Sequence, residues 1–282
     1  MPGTLFVVAT PIGNLEDITA RALRVLREAS IIAAEDTRRT AKLLARYAII
    51  TPTTSLHEHN EAQKSASIAA RLERGENVAL VSDAGTPTIS DPGQRLIRAA
   101  IDKGFRVESI PGPSAPIAAL AASGLASDTF AFLGFPPARS KARTEWFERA
   151  KVLGGTVVFF EAPHRIRKTL TELQQSVGDC QVAVCRELTK VHEEWVRGQI
   201  SEVLTRIMAP IGEFTVVAEI GQLTDKGAIG PPSVRVALAD FDLMTNNRQL
   251  SRRAAVTALA KQYGVRPNVV YELIERGKKS GE

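Results

Sequence analysis

Through the first 120 residues, short apolar runs alternate with segments of helical period, and that alternation leaves few folds open. Runs at residues 5–9, 31–34, 78–81 and 107–110 have the length and continuity of strands buried on both faces. Between them, Ile18, Ala22, Val25, Leu26 and Ala29 recur at helical spacing, and further helical segments are expected near residues 37–46, 61–74 and 94–103. Strand and helix in turn imply a mostly parallel sheet covered by helices, an α/β lobe over residues 1–120. A second α/β lobe is expected over residues 121–226, with strands at 130–135, 156–160, 182–185 and 214–220 and helices near 143–151, 165–176 and 202–208. Residues 227–233, with Gly230, Pro231 and Pro232, read as a linker to a small helical tail over 233–282.

In the tail, Leu250, Ala254 and Leu259 precede Gly264-Val265-Arg266-Pro267, and Asn268 could cap a second helix carrying Val269, Val270, Leu273 and Ile274. That outline fits a helix-turn-helix and equally two packed helices with no recognition role. Charge favours the former. Residues 231–282 hold nine Lys or Arg against five Asp or Glu, +4 of the chain's net +5. A basic end on a near-neutral body suits a polyanionic partner. Aromatic residues make up 5% of the chain, too few for large single-stranded RNA stacking platforms.

Cys180 and Cys185 are an odd number of residues apart in an expected strand, so they face opposite ways and do not pair readily. This suits a reducing compartment. The first residues lack a basic stretch followed by an apolar one, so a cytoplasmic location is expected. The longest uncharged run, residues 109–127, is interrupted by Pro and Gly and does not read as a membrane span.

In open α/β sheets ligands sit beyond the carboxyl ends of the strands. Four loops there are rich in turn-forming or charged residues: Thr10-Pro11-Ile12-Gly13-Asn14-Leu15, Glu35-Asp36-Thr37-Arg38-Arg39-Thr40, the run from Ser82 to Gly93, and Pro111-Gly112-Pro113-Ser114-Ala115. Asp83 could hold a ligand amino group, and Gly85 permits close backbone approach. Asp36 could serve a site or merely cap the following helix. In the second lobe, Glu161-Ala162-Pro163-His164-Arg165 and Arg186-Glu187-Leu188-Thr189-Lys190 also follow strands, where salt bridges and helix caps compete with function. A desolvated Lys190 could lose its proton and act as a base. The dinucleotide and P-loop glycine patterns and the hydrolase nucleophile elbow are absent. His57-Glu58-His59 is too thinly supported by His164 and His192 for a zinc site, so no metal is expected.

In order along the chain stand V-A-T-P-I-G-N-L-E-D-I-T (8–19), A-E-D-T-R-R-T (34–40), V-S-D-A-G-T-P-T-I-S-D-P-G (81–93), P-G-P-S-A (111–115), F-F-E-A-P-H-R-I (159–166) and R-E-L-T-K-V-H-E-E (186–194). By these motifs the chain resembles the bacterial small-subunit ribosomal RNA methyltransferases I, cytidine 2′-O-methyltransferases of 16S rRNA within the tetrapyrrole methylase-like, class III methyltransferase superfamily. The resemblance spans nearly all of residues 4–222 and, less strictly, the tail. It implies two α/β lobes clasping S-adenosylmethionine, and a homodimer acting on the small ribosomal subunit. Pro11, Gly13, Asn14, Asp83, Ala84, Gly85, Pro87, Gly112, Pro113, Ser114 and Ala115 would line the cofactor from the first lobe. Ala162, Val217 and Ala218 would meet it from the second. The superfamily's first loop is often glycine-rich with an acid; here it reads Thr-Pro-Ile-Gly-Asn.

On that resemblance Lys190 is expected to be the catalytic base or cation, with Glu161, Asp36 or Glu187 orienting it. Arg38, His57, His164 and Arg165, with Arg252, Arg253 and Lys261 of the tail, would hold RNA. The rival readings are a corrin or tetrapyrrole methylase of the same fold and a nucleic-acid-binding regulator.

Overall fold

The computed structural model describes residues 1–207, 211–221, 234–242, 244–245, 250–263 and 265–280. Two compact units result, Met1–Ile220 and Gly221–Glu282.

In the first unit β1 (Thr4–Val8), β2 (Ile31–Ala34), β3 (Thr53–Ser55), β4 (Val78–Val81) and β5 (Arg106–Ile110) form a sheet in the order β3-β2-β4-β1-β5. All four pairings are parallel. β2 (Ile-Ile-Ala-Ala) and β4 (Val-Ala-Leu-Val) are buried at every residue, as continuous apolar runs in a covered parallel sheet should be. Helices α1 (Ala20–Glu28), α2 (Thr37–Arg46), α3 (Glu61–Glu73) and α4 (Gln94–Asp102) are the crossovers. They split the core between two faces, one built on Val25, Leu26 and Leu44, the other on Ile68, Leu72 and Leu96. Thr19 caps α1 by accepting from the Ala22 N–H at 3.1 Å.

Helix α5 (Ala115–Ser123) links the sheets; its Ala119 and Leu120 are buried against Val158, Ala183 and Val217 of the second. That sheet comprises β6 (Phe130–Phe132), β7 (Gly155–Glu161), β8 (Gln181–Arg186), β9 (Glu194–Gln199) and β10 (Phe214–Ile220), in the order β6-β7-β10-β8-β9. It is mixed: β6 pairs parallel with β7 and the rest are antiparallel. α6 (Ser140–Leu153), α7 (Ile166–Val177) and α8 (Ile200–Arg206) cover its other face.

Sequence periodicity misses β3 and β9, which are edge strands. β3 has no fully buried residue, and β9 buries Val196 alone. The expected strand at 130–135 ends at Phe132 because Gly134, at φ +65°, turns the chain away. Cys180 packs into the α6–α8 side of the sheet while Cys185 is buried in β8. Burial pushes their thiols up to about 11 and about 12, so neither is a thiolate at neutral pH.

The second unit contains α9 (Val234–Asp242), α10 (Arg252–Gln262) and α11 (Pro267–Ser280) around Leu238, Phe241, Leu259, Val270 and Ile274. The sequence shows two of these helices; α9 is the addition. α11 starts at Pro267, so Asn268 lies inside its first turn instead of capping it. The expected linker 227–233, Gly264 and the Lys261 side chain fall outside the described residues. Among the described residues no helix is long and apolar enough to cross a membrane.

Candidate functional site

The chain leaves β1 to one side of the sheet and returns through β4 and β5, so β1 and β4 are neighbours at a topological switch point. Their ends are sewn together: Thr10 and Gly85 exchange N–H···O bonds of 2.9 and 3.0 Å. A cavity of about 420 Å³ opens above this point. From the first lobe come Ile12 after β1, Glu35 and Arg39 after β2, residues 83–86 and 89–91 after β4, and Ser114 to Pro116 after β5. From the second come Phe135, residues 160–163 at the end of β7, Leu188, and Gly212 through Thr215 at the start of β10.

One end of the cavity is acidic. The Asp83 N–H donates to Glu35 Oε2 at 3.3 Å, the Asp36 N–H donates to Asp83 Oδ1 at 2.9 Å, and Arg39 Nη1 lies 3.4 Å from Asp83 Oδ2. Burial, with nearby negative charge, raises the Glu35 carboxyl above its ordinary range. Burial, then Glu35 and Asp83, push Asp91 up to about 6, against the Ser82 hydroxyl bonded to it. A carboxyl raised on folding holds its proton more tightly folded than unfolded, so its contribution to stability is present at low pH and is lost as pH rises to about 6. Asp91→Asn is therefore expected to melt at higher temperature than the parent near neutral pH, with the gap closing by about pH 4. Thermal melts across that range check it; an equal Tm at every pH refutes it.

The wall between Ser82 and Gly93 is anchored from behind. The buried Glu61 at the start of α3 accepts at one carboxylate oxygen from the N–H groups of Gly93, Arg95 and Leu96, at 3.1, 2.7 and 3.3 Å. Four of the five described non-glycine residues with positive φ are Thr88, Ser90, Glu187 and Thr189, in the two loops beside the cavity. Each such residue costs about 1–3 kcal/mol and persists where surroundings enforce it, a pattern of functional loops.

Lys190 stands in an adjoining open groove with Gly13, Asn14, Arg46 and His192. Its Nζ donates to Glu187 Oε1 at 3.0 Å and to Glu213 Oε2 at 2.8 Å. Burial alone lowers the Lys190 ammonium, but the two carboxylates outweigh it and the net shift is upward. Of the two roles expected for Lys190, base or cation, this upward shift favours the cation. Glu187, which also accepts from the Glu213 N–H at 2.9 Å, is the one of its three expected orienters that touches it. Gly13 is required by close approach. A Cβ there would stand 2.6 Å from Lys190 Cγ and Thr189 Oγ1 and 2.8 Å from the Leu188 carbonyl oxygen.

Glu161 and Asp36 do other work. Glu161 is 2% exposed and accepts from the Ala162 N–H, Arg165 Nε and Thr169 Oγ1, so it fixes the turn after β7 and does not reach Lys190. Asp36 caps α2 through the Arg38 N–H at 2.8 Å and pairs with the Arg38 guanidinium at 2.7 Å, which holds its carboxyl far below the usual range.

Of the expected cofactor contacts, Asp83, Ala84, Gly85, Ser114, Ala115 and Ala162 line the cavity. Pro113 stands behind it, its carbonyl accepting from Thr86 Oγ1 at 3.1 Å, and Gly112 abuts Ala9. Pro11 and Pro87 are not on its wall, and Gly13 and Asn14 face the groove. Val217 and Ala218 correct the reading of β10: both are wholly buried in the middle of the strand, and Phe214 and Thr215 at its start reach the cavity instead. Among expected RNA contacts, Arg38 and His164 are exposed, Arg165 is tied to Glu161, and His57 is held by Asn60 at the start of α3, off the cavity wall. In the tail unit, Arg253 is exposed and Arg252 pairs with Glu275. Sequence reasoning passes over Asp91, Phe135 and Glu213; only their positions at strand ends or in a turn-rich loop could have flagged them.

Residues 4–204 match the family described as Tetrapyrrole (Corrin/Porphyrin) Methylases. The chain is 41% identical over 298 residues to ribosomal RNA small subunit methyltransferase I of Pseudomonas aeruginosa, covering 99% of each chain. It is 48% identical over 219 residues to that of Bacillus subtilis, covering 77% of this chain and 75% of the other. Among solved structures it shares the fold of uroporphyrin-III C-methyltransferase from Thermus thermophilus complexed with S-adenosyl homocysteine, at TM-score 0.56 and 18% identity over 77% of this chain and 98% of that one. Another is the cobalamin biosynthetic enzyme cobalt precorrin-4 methyltransferase, at TM-score 0.58 and 18% identity over 76% and 94%. With its two sheets, its switch-point cavity and this degree of identity over its whole length, the chain belongs to the ribosomal RNA small subunit methyltransferase I family of the tetrapyrrole methylase fold.

Proposed function

We propose that the protein methylates the 2′-hydroxyl of a cytidine in 16S rRNA of the small ribosomal subunit, using S-adenosylmethionine. The observation that carries this is the cavity where four parallel strand ends meet the second lobe, acidic at one end and apolar along Ile12, Ile89, Leu188 and Phe160.

The residues present suit that donor. Glu35, Asp83 and Asp91 offer negative charge to its cationic groups, and the start of α5, where Ser114 makes no side-chain cap, turns the positive end of the helix toward a carboxylate, although Pro116 there has no N–H to give. When bound, S-adenosylmethionine supplies a methyl group already activated on a sulfonium. What remains for the protein is alignment of the hydroxyl and departure of its proton, to water or to a carboxylate beside it, as the new O–C bond forms. The Lys190 ammonium, held by Glu187 and Glu213, is the cation that would stabilise the alkoxide character left on the oxygen as its proton departs. Glu213 belongs both to the cavity wall and to the Lys190 pair, which sets the cation beside the cavity. Arg38 and Arg39, both exposed after β2, and the basic tail are read as phosphate contacts. The resemblance further supports a cytoplasmic homodimer.

The test is transfer of tritium from labelled S-adenosylmethionine to small subunits, naked rRNA and a tetrapyrrole. Label in a cytidine 2′-O-methyl group of small-subunit rRNA is expected. Label in the tetrapyrrole alone would replace this reading with the corrin-type one, and no cofactor binding by calorimetry would leave only a nucleic-acid binder.

A further inference from the structure

Phe135 is 53% exposed, an apolar ring on the wall of the cavity at the end of β6. The loop that carries it is unusually well braced. Gly134 turns at φ +65° and its carbonyl accepts from the Phe160 N–H at 2.9 Å. The Leu133 carbonyl accepts from Trp146 Nε1 at 3.2 Å. Pro136 and Pro137 restrict the next two φ angles. Arg143, itself buried, donates to the Pro137 and Ala138 carbonyls at 3.3 and 3.0 Å and is clamped by Glu172 at 2.9 Å. The Phe135 ring leans on Phe160 with centroids 5.3 Å apart, and Phe160 meets Phe132 at 5.0 Å. An aromatic ring held this firmly, backed on one side and open on the other, contributes little to the core and awaits a flat partner.

The reaction itself says which partner arrives there. For a ribose hydroxyl to enter a cavity between two lobes, its nucleotide must leave the RNA stack, and its base then needs a new surface. We propose that Phe135 is that surface, the stacking platform for the base of the acceptor nucleotide. This rests on the methyl-transfer reading above. A cofactor adenine is the rival occupant; the half-open ring favours a ligand delivered from solution on a macromolecule, and Arg39, exposed on the same cavity wall, offers its phosphate a cation.

The experiment compares Phe135→Ala, Phe135→Leu and Phe135→Tyr with the parent, by kcat/KM for small-subunit methylation and by calorimetric affinity for S-adenosylmethionine. Stacking on a protein ring changes binding by roughly 5- to 150-fold per base on alanine substitution. Phe135→Ala is expected to lose about 10- to 100-fold in kcat/KM, with Phe135→Tyr near parental, Phe135→Leu remaining low and cofactor affinity unchanged in all three. Parental efficiency in Phe135→Ala overturns the proposal, as does rescue by Leu equal to that by Tyr. A fall in cofactor affinity parallel to the loss of transfer assigns the ring to adenine and overturns it too. Failure of the parental protein to methylate any subunit is a different result, read before any variant is made, and it removes the methyl-transfer reading itself.

Discussion

Lys190→Ala is expected to lower kcat/KM for small-subunit methylation by about 10²- to 10³-fold, the range seen when a preorganised stabiliser of developing charge is removed. The size follows from position. The ammonium is tied to two carboxylates in a partly buried setting, so its charge is fixed in place before the hydroxyl arrives and no reorganisation is needed at the reacting moment. Lys190→Arg should recover part of the rate, because the charge survives while the geometry changes. Lys190→Met should not, because the bulk survives while the charge is lost. Affinity for S-adenosylmethionine should be unaltered, since Lys190 is in the adjoining groove and not on the cavity wall. The pH profile adds a second check. A cation whose titration is shifted upward keeps its proton throughout the neutral range, so the rate should show no loss on acidification attributable to Lys190. A Lys190→Ala variant that methylates at the parental rate with normal cofactor affinity removes Lys190 from the mechanism.

Glu161→Ala is expected to cost about 3–5 kcal/mol of folding stability, the scale for breaking a buried ion pair by deleting one partner. The Glu161 side chain is 0% exposed, and its two oxygens take donors from Arg165, Thr169 and the Ala162 N–H. Deleting it leaves the guanidinium of Arg165 and the hydroxyl of Thr169 without that acceptor and releases the turn that forms one side of the cavity. Denaturant unfolding measures the loss, with Thr169→Val as the companion that removes one donor only and should cost less. A catalytic carboxylate would behave differently: Glu161→Gln would abolish transfer while leaving the unfolding midpoint alone. That outcome would return Glu161 to the reaction and sink the structural account.

The contrast between these two residues shows how far the sequence carries. Glu161 and Lys190 both follow strands in charged motifs, and on spacing alone each could be catalytic, a cap or a salt bridge. What separates them is through-space neighbours. Glu161 is answered by Arg165 and Thr169, four and eight residues on, in its own turn and helix. Lys190 is answered by Glu187 nearby but also by Glu213, 23 residues away at the start of the neighbouring strand β10. The local partner, three residues back in the same turn, could be guessed from its nearness in the chain; the distant one could not. Val217 and Ala218 illustrate the opposite error. Their strand was legible from its apolar run, yet only its pairing with β7 and β8 decides which end faces the cavity.

The sequence by itself determined the layered α/β build, because burial on both faces of a parallel sheet writes an unbroken apolar run into each central strand. It also marked the turn-rich and charged loops after those strands, and these loops line the cavity. The edge strands β3 and β9 stayed hidden because an edge buries too little to leave a period. Tertiary structure alone decided which loops meet. Asn14 bonds Thr189 across 175 residues, and Asp91 is pushed up first by burial and then by Glu35, which follows a different strand. Charge, desolvation and ring exposure depend on distances that a crossover connection sets in space, and nothing local in a chain records them.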